Sequence, residues 1–326
     1  MITPPSGQDK LVGFFQKAIR EDTLGHAYII EGDTGIGKKT LAGYFAAMAV
    51  CAEGTACGEC KQCKQTIAEV NPDITVLSAD GKASIGVDAV RDFISTVAYR
   101  SVHGGRHVFI IHDADLLTVQ AQNALLKVIE EPPKGVLFLL LCKQKAQLLR
   151  TITSRSQILK LSPLPKEVLS KIVPDCGGFE LTYCKGNPGT LIRICADEEF
   201  KEFRNNAVDV VAKVFTDGDE ALYDAVDFFE ANKERKEDLF TITLYVLRDV
   251  MCKKNGLTPF IINADKANTI NAVSAVLTPA TCMRAIESVL EAERGMGKYG
   301  NFNLAVQSMF IRARNAMKNG NNKQMC

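Results

Sequence analysis

The chain has 326 residues, 46% of them hydrophobic and 24% charged, with a net charge of +1 at neutral pH. That length predicts two or three globular domains with ample apolar material for real cores. The near-zero charge excludes nucleic-acid binding by bulk electrostatics, so any DNA contact has to come from a local patch.

Apolar positions Leu11, Val12, Phe14, Phe15, Ala18 and Ile19 recur at helical spacing and predict a helix over 7–22. His26-Ala-Tyr-Ile-Ile30 reads as a short strand that runs into a Gly-rich turn. A helix over 38–50 follows, with Leu41, Ala42, Phe45, Ala46 and Ala49 on one side. Strand, Gly-rich loop, helix is the setting a phosphate-binding loop requires. Ile74–Leu77 predicts a second strand, 87–99 a helix, His107–Ile111 a third strand and 118–130 a helix. Pro132 and Pro133 stop that helix, because proline lacks the donor and clashes with the preceding turn. His103 and His107 flank Gly104 and Gly105 and read as a turn. Val136–Cys142 is a fourth strand and Ile158–Leu161 a fifth. Alternating strands and helices predict an α/β domain with a mainly parallel sheet covered on both faces.

Pro163 and Pro165 mark a domain boundary. Short helices are expected over 166–172 and 190–196, around Gly186-Asn-Pro-Gly189. Beyond them the pattern is all helical: 201–215, 219–231, 236–254, 263–276, 279–293 and 301–318. The last of these carries Leu304, Ala305, Met309, Ile311, Ala313 and Ala316. The boundaries are therefore 1–163, 164–200, 201–318, and a tail over 319–326 without a core pattern. The basic run at 233–236, and Arg312, Arg314 and Lys318, read as solvated helix faces. No apolar run is long enough to span a membrane; the longest, over 136–142, is strand-sized. The N-terminus lacks the basic and apolar regions of a signal peptide, so a cytosolic protein with no membrane partner is expected. Eleven cysteines then point to thiols or metal ligands rather than disulfides.

The phosphate loop is nearly complete. It needs Gly, four residues, Gly, Lys, then Ser or Thr. Gly32, Gly37 and Lys38 are in place, but Lys39 stands where the hydroxyl belongs. That hydroxyl ligates Mg²⁺ beside the phosphates, and an ammonium there repels a metal. A turn that binds no ligand is the plain alternative. The second metal determinant is an acid at the end of another strand, often followed by Glu. His112 and Asp113 fill those places in one register, and Asp113 is the metal acid in another; both registers are open.

Four cysteines form the other constellation. Cys57-Gly-Glu-Cys60-Lys-Gln-Cys63 gathers three thiols in a short polar loop, and Cys51 ends the helix after the phosphate loop. Four thiolates suit tetrahedral Zn²⁺ in a closed structural site. An iron–sulfur cluster is the rival, though the Cys-Pro of the bacterial ferredoxin run is missing. Loose thiols are the third reading. The short spacing to Cys57 makes Cys51 the least secure ligand. The other cysteines are scattered and read as small core residues.

Asn123-Ala-Leu-Leu-Lys-Val-Ile-Glu-Glu-Pro-Pro133 resembles a segment of the clamp-loader AAA+ subunits of bacteria. Thr153-Ser-Arg155-Ser-Gln157 resembles their Ser-Arg-Cys segment, with Ser156 in place of Cys, and His26-Ala-Tyr fits as well. The resemblance spans roughly residues 7–200. It implies a P-loop AAA+ domain, a small helical lid and an all-α collar. By resemblance Gly32, Gly35, Gly37, Lys38 and Thr40 belong to the nucleotide site, while Lys39 and His112 depart from it. A sensor arginine of the family falls at Gly189. These three departures imply a subunit whose own ATP binding is doubtful and which turns over little or no ATP. Arg155 then acts in trans as an arginine finger on a neighbour's ATP; a surface ion pair is the plain alternative. The resemblance also supports a zinc-binding insertion with Cys51, Cys57, Cys60 and Cys63. The implied partners are tau/gamma and delta subunits, the sliding clamp, and primer–template DNA through the complex. The competing reading is an ATP-hydrolysing motor of the tau/gamma type.

Overall fold

A computed structural model describes residues 2–98, 101, 105–295 and 301–322. The chain divides into two compact units. One runs to Pro174 and takes in Cys184–Leu191; the other holds Asp175–Tyr183 and everything from Ile192. Residues 164–200 are thus shared between the two.

The first unit is built on five parallel strands: β1 (Ala27–Glu31), β2 (Ile74–Leu77), β3 (His107–Ile111), β4 (Val136–Cys142) and β5 (Gln157–Lys160). Their order across the sheet is β2-β3-β4-β1-β5. Side chains alternate between faces, and both faces are buried. Tyr28 and Ile30 of β1 join Leu137, Leu139 and Leu141 of β4 in one apolar layer. Ala27 and Ile29 join Phe138 and Leu140 in the other. Helices α1 (Asp9–Arg20) and α2 (Lys38–Val50) supply the first layer. Helices α4 (Val87–Ser95) and α5 (Val119–Glu130) supply the second. Thr118 starts α5 as an N-cap, its hydroxyl accepting from Ala121 N at 3.2 Å. This is an α/β unit with a parallel sheet covered by helices on both faces, as the sequence predicts.

The elements differ from expectation in a few places. The cysteine segment is not all loop, because α3 (Lys61–Ile67) starts inside it. The sulfur of Cys60 accepts from Cys63 N at 3.4 Å and caps that helix. The expected helix over 87–99 ends at Ser95 and continues as a single 3₁₀ turn, Thr96–Ala98. Tyr99, and the turn at His103 and Gly104, lie outside the described residues. Helix α2 is buried on nearly every side rather than along one stripe. It is sandwiched between the sheet, α1 and α3, so its apolar residues have no outward face to avoid. Two short helices, α6 (Arg150–Thr153) and α7 (Lys166–Ile172), complete the unit; α6 is too short to show a period in sequence.

The second unit is all helical: α8 (Gly178–Tyr183), the later part of α9 (Pro188–Ala196), α10 (Glu198–Thr216), α11 (Glu220–Ala231), α12 (Lys236–Lys254), α13 (Ala267–Val276), α14 (Pro279–Gly295) and α15 (Phe302–Asn322). The helix α15 carries four residues into the expected tail, and 323–326 lie outside the described residues. Its core face is Val306, Met309, Phe310 and Ala313, whereas Leu304 and Ile311 point to solvent. Those two are seven residues apart and share the outer face. Arg314 is not solvated as expected. It is buried, donates to Asp217 O at 2.6 Å and pairs with Asp219. A long side chain can lay its charge on the helix-end carbonyl while its stem packs inward.

A polar knot ties α10 to the segment before α13. Asp249 is fully buried and accepts from Ile262 N at 2.9 Å, and from Asn263 N and Asn263 Nδ2 at 2.7 Å each. Asn263 Oδ1 in turn accepts from Arg204 Nη2 at 2.6 Å. Arg204 grips Asp265 with both arms and lies 4.6 Å over the Phe179 ring. Removing a buried carboxylate that satisfies three donors leaves them without partners. Asp249→Ala is therefore expected to destabilise this unit by about 3 kcal/mol. Urea unfolding of the full chain checks this; an unmoved midpoint would show that the knot carries little. Among the described residues no single helix is long and apolar enough to cross a membrane.

Candidate functional site

The phosphate loop joins the end of β1 to α2. Gly35 and Gly37 hold φ of 85° and 103°, left-handed values that favour glycine. Buried Ile36 anchors the loop between them. Gly32, Gly35, Gly37 and Lys38 thus lie in one turn, with Thr40 exposed in the first turn of α2. The Lys38 ammonium is turned back on its own loop, donating to Gly32 O at 2.6 Å and Asp33 O at 3.0 Å. Burial lowers its pKa, and the carboxylates of Asp115 and Asp113 oppose that fall.

His112 is the first residue past β3, and its N–H donates to Leu77 O at 2.8 Å. Its pKa is lowered by burial and then by the ammonium of Lys39, against Asp113 and Asp80. Asp113 takes a left-handed φ of 52° and leads a 3₁₀ turn. Asp115 Oδ2 accepts from Lys143 N at 3.1 Å, which ties this turn to the end of β4. The segment around Gly189 lies on the phosphate loop. Asn187 Nδ2 donates to Thr34 O at 2.7 Å and Gly189 N to Gly35 O at 3.0 Å. The importance of Asn187 was not legible in sequence, because only folding brings residues that distant together.

At the far end of α2 the four cysteines converge. The sulfurs of Cys51, Cys57, Cys60 and Cys63 all lie within 4.8 Å of one another. Cys51 and Cys57 are 3.7 Å apart, and Cys57 and Cys63 are 3.9 Å apart. Tetrahedral Zn–S bonds of about 2.3 Å put neighbouring sulfurs about 3.8 Å apart. The donor set and its spacing fit such an ion, and Cys51 belongs to the set. Burial opposes ionisation of Cys51, but hydrogen bonds from the backbone of Cys57, Thr55 and Glu53 outweigh it and bring the thiol to about 6. Cys60 is also lowered: burial opposes, and bonds from the Ala52 and Cys63 backbone prevail. Cys63 goes the other way, pushed up by burial and by the neighbouring Cys60 and Cys51. Thiols packed this closely resist losing a second and third proton unless a cation sits among them.

Arg155 lies apart from both clusters. It precedes β5, whose Tyr28 partner is Gln157 and whose Glu31 partner is Lys160. The phosphate loop follows Glu31, so Arg155 sits at the opposite end of the strand, roughly 10 Å or more of backbone away. Its guanidinium is half-exposed, 3.1 Å from Glu130 Oε1, and donates to Thr151 O at 3.2 Å. Glu130 went unnoticed as its partner, although it belongs to the Glu-Glu-Pro-Pro motif that ends α5.

Residues 7–165 match a family described as DNA polymerase III, delta subunit, and residues 198–312 match its C-terminal domain. A DNA polymerase III subunit delta′ of Pseudomonas aeruginosa is 40% identical over 159 residues, 46% of this chain and 48% of that protein. This match therefore spans about half the length of that relative. The delta′ subunit of Bacillus subtilis is 28% identical over 299 residues, 88% of this chain and 90% of that one. A tau/gamma subunit of Haemophilus influenzae is 33% identical over 168 residues, 51% of this chain but 24% of that protein. Both units thus carry the family's sequence in the family's order, and the chain belongs to the delta-prime subunit family of DNA polymerase III.

Proposed function

We propose that this chain is a clamp-loader subunit that hydrolyses little or no ATP itself and lends Arg155 to the ATP of a neighbouring subunit. The observation that supports this reading is Lys39 at the hydroxyl position of the phosphate loop, with His112 as the first residue past β3. An ATPase needs a hydroxyl and a carboxylate to hold Mg²⁺ between phosphates and protein. Here an ammonium stands at the hydroxyl position and, in one of the two registers, an imidazole stands at the carboxylate position. Cationic or neutral groups cannot replace two anionic or neutral oxygen ligands of a hard metal. Gly32, Gly35, Gly37, Lys38 and Thr40 keep the shape of the nucleotide site without its metal chemistry.

The place of Arg155 supports the trans role. It is held away from the chain's own phosphate loop and faces solvent, where a second subunit can bring a phosphate to it. A planar guanidinium offers paired donors to a transferring phosphoryl group, which lysine cannot match. In the same reading Cys51, Cys57, Cys60 and Cys63 hold structural Zn²⁺, which supplies a rigid cross-link and no open coordination position. The helical second unit forms a collar with tau/gamma and delta subunits, and the assembly loads the sliding clamp onto primer–template DNA in the cytosol. Contact with that DNA runs through backbone phosphates, by helix N-termini and scattered basic groups, without reading bases.

Equilibrium binding of a fluorescent ATP analogue to the isolated chain, with and without Mg²⁺, tests the reading. Weak binding that Mg²⁺ does not improve is expected. Tight Mg²⁺-dependent binding with steady turnover would instead support a motor of the tau/gamma type.

A further inference from the structure

We propose that Asn187–Gly189 seals the mouth of the phosphate loop, as an autoinhibitory contact that has to open before a phosphate group can settle at Lys38. The proposal rests on the reading that this pocket has lost its ATPase role, and it names the physical device that closes it.

The contact is made by one backbone hydrogen bond and one from a side chain whose orientation is fixed. Gly189 N donates to Gly35 O, and the Asn187 side-chain amide donates to Thr34 O. The same amide's oxygen accepts from Thr190 N at 3.1 Å, which fixes its orientation. The fit depends on two missing side chains. A Cβ on Gly189 would lie 2.7 Å from both Cα and O of Gly35. A Cβ on Gly35 would lie 2.8 Å from Asn187 Oδ1. Alanine at Gly189 would force the two backbones apart, whereas at Gly35 the added Cβ meets the Asn187 side chain and the left-handed φ of 85° disfavours it. The segment is also held from behind. Gly186 has a φ of 84°, and its carbonyl accepts from Leu164 N at 2.7 Å. A Cβ there would lie 2.5 Å from Pro163 Cβ.

Position 189 is where the clamp-loader resemblance places a sensor arginine. Glycine at that position does more than remove a phosphate-binding group. It lets the lid backbone come into contact with the loop, where any side chain would hold it off. The Lys38 ammonium is turned onto Gly32 O and Asp33 O and so points back into its own loop.

The test uses the full chain as wild type, Gly189→Ala and Asn187→Ala. Asn187→Ala only removes atoms, so it keeps the test valid if Gly189→Ala folds poorly. Two quantities are read: backbone amide hydrogen exchange over 185–191, and affinity for a fluorescent ATP analogue without Mg²⁺. Loss of the seal's hydrogen bonds is expected to speed exchange about tenfold in the variants. Analogue affinity is expected to rise by a similar factor as the mouth opens. Exchange within twofold of wild type in both variants overturns the seal. Faster exchange with no gain in affinity also overturns it, because the contact then blocks nothing. Steady ATP turnover by the wild type defeats the ATPase-silent reading, while the variants' exchange and affinity still decide the seal.

Discussion

Replacing Arg155 with alanine is expected to slow ATP hydrolysis at the neighbouring site of the assembled clamp loader by about 10³-fold. The reason is electrostatic. Negative charge shifts onto the transferring phosphoryl group and leaving oxygen in the transition state, and a pre-placed guanidinium stabilises that charge without reorganisation. Arg155→Lys keeps the charge but loses the paired planar donors, so it should recover only part of the rate. The isolated variant should melt like the wild type. Arg155 is half-exposed and its ion pair with Glu130 is shared with solvent. Such pairs contribute about 0–1 kcal/mol. Single-turnover hydrolysis in the reconstituted complex, beside thermal melting of the free chain, measures both. Equal rates for wild type and alanine variant would mean that Arg155 is an ordinary surface residue.

The second large effect is expected at the cysteine cluster. Cys63→Ser should abolish binding of one zinc ion per chain and destabilise the first unit by at least about 2 kcal/mol. Cys63 is fully buried and lies in the first turn of α3, with Cys60 as that helix's cap. Without the ion the four thiols have no common counter-charge, and the loop between α2 and α3 loses its cross-link. Two other contacts depend on that loop. Ile2 N donates to Ala56 O at 3.0 Å, and Asn71 Nδ2 donates to Gln62 O at 3.0 Å. Order at the N-terminal segment and at the start of β2 should therefore weaken together with metal loss. Metal analysis of protein kept reduced, and melting with and without a strong chelator, give the readout. Wild-type protein that carries no metal, with a melting curve that the chelator and the substitution both leave unchanged, would remove the zinc assignment.

The two effects are separable, because the sites lie at different places on the same scaffold. Helix α2 begins at Lys38 and ends at Val50 with Cys51 as its C-cap, so one helix carries the phosphate loop at its start and a cysteine of the cluster at its end. Buried nearly all round, it positions both. Arg155 depends instead on α6 and the start of β5. A cysteine variant that loses metal should therefore leave the guanidinium chemistry intact for as long as the first unit stays folded.

Much of this molecule was written in short-range patterns. Strand, loop and helix follow from apolar periodicity and from turn residues, which act over a few neighbours. That is why β1, the phosphate loop and α2 were legible, as were the helix stop at Pro132 and the all-helical run after about residue 200. Lys39 stands out because it breaks the phosphate-loop spacing, whereas His112 depends on a register that the sequence leaves open and Gly189 stands out only through the family resemblance. Tertiary packing decided the rest. It brought Cys51 within 3.7 Å of Cys57, turned part of the expected loop into α3, and drew Arg314 inward onto Asp217. It also laid Gly189 on Gly35 and set Arg155 beyond reach of its own loop. These are meetings between residues far apart along the chain, and they are fixed by how layers stack and which backbones can touch. Local sequence supplies the groups; the three-dimensional packing chooses which of them meet.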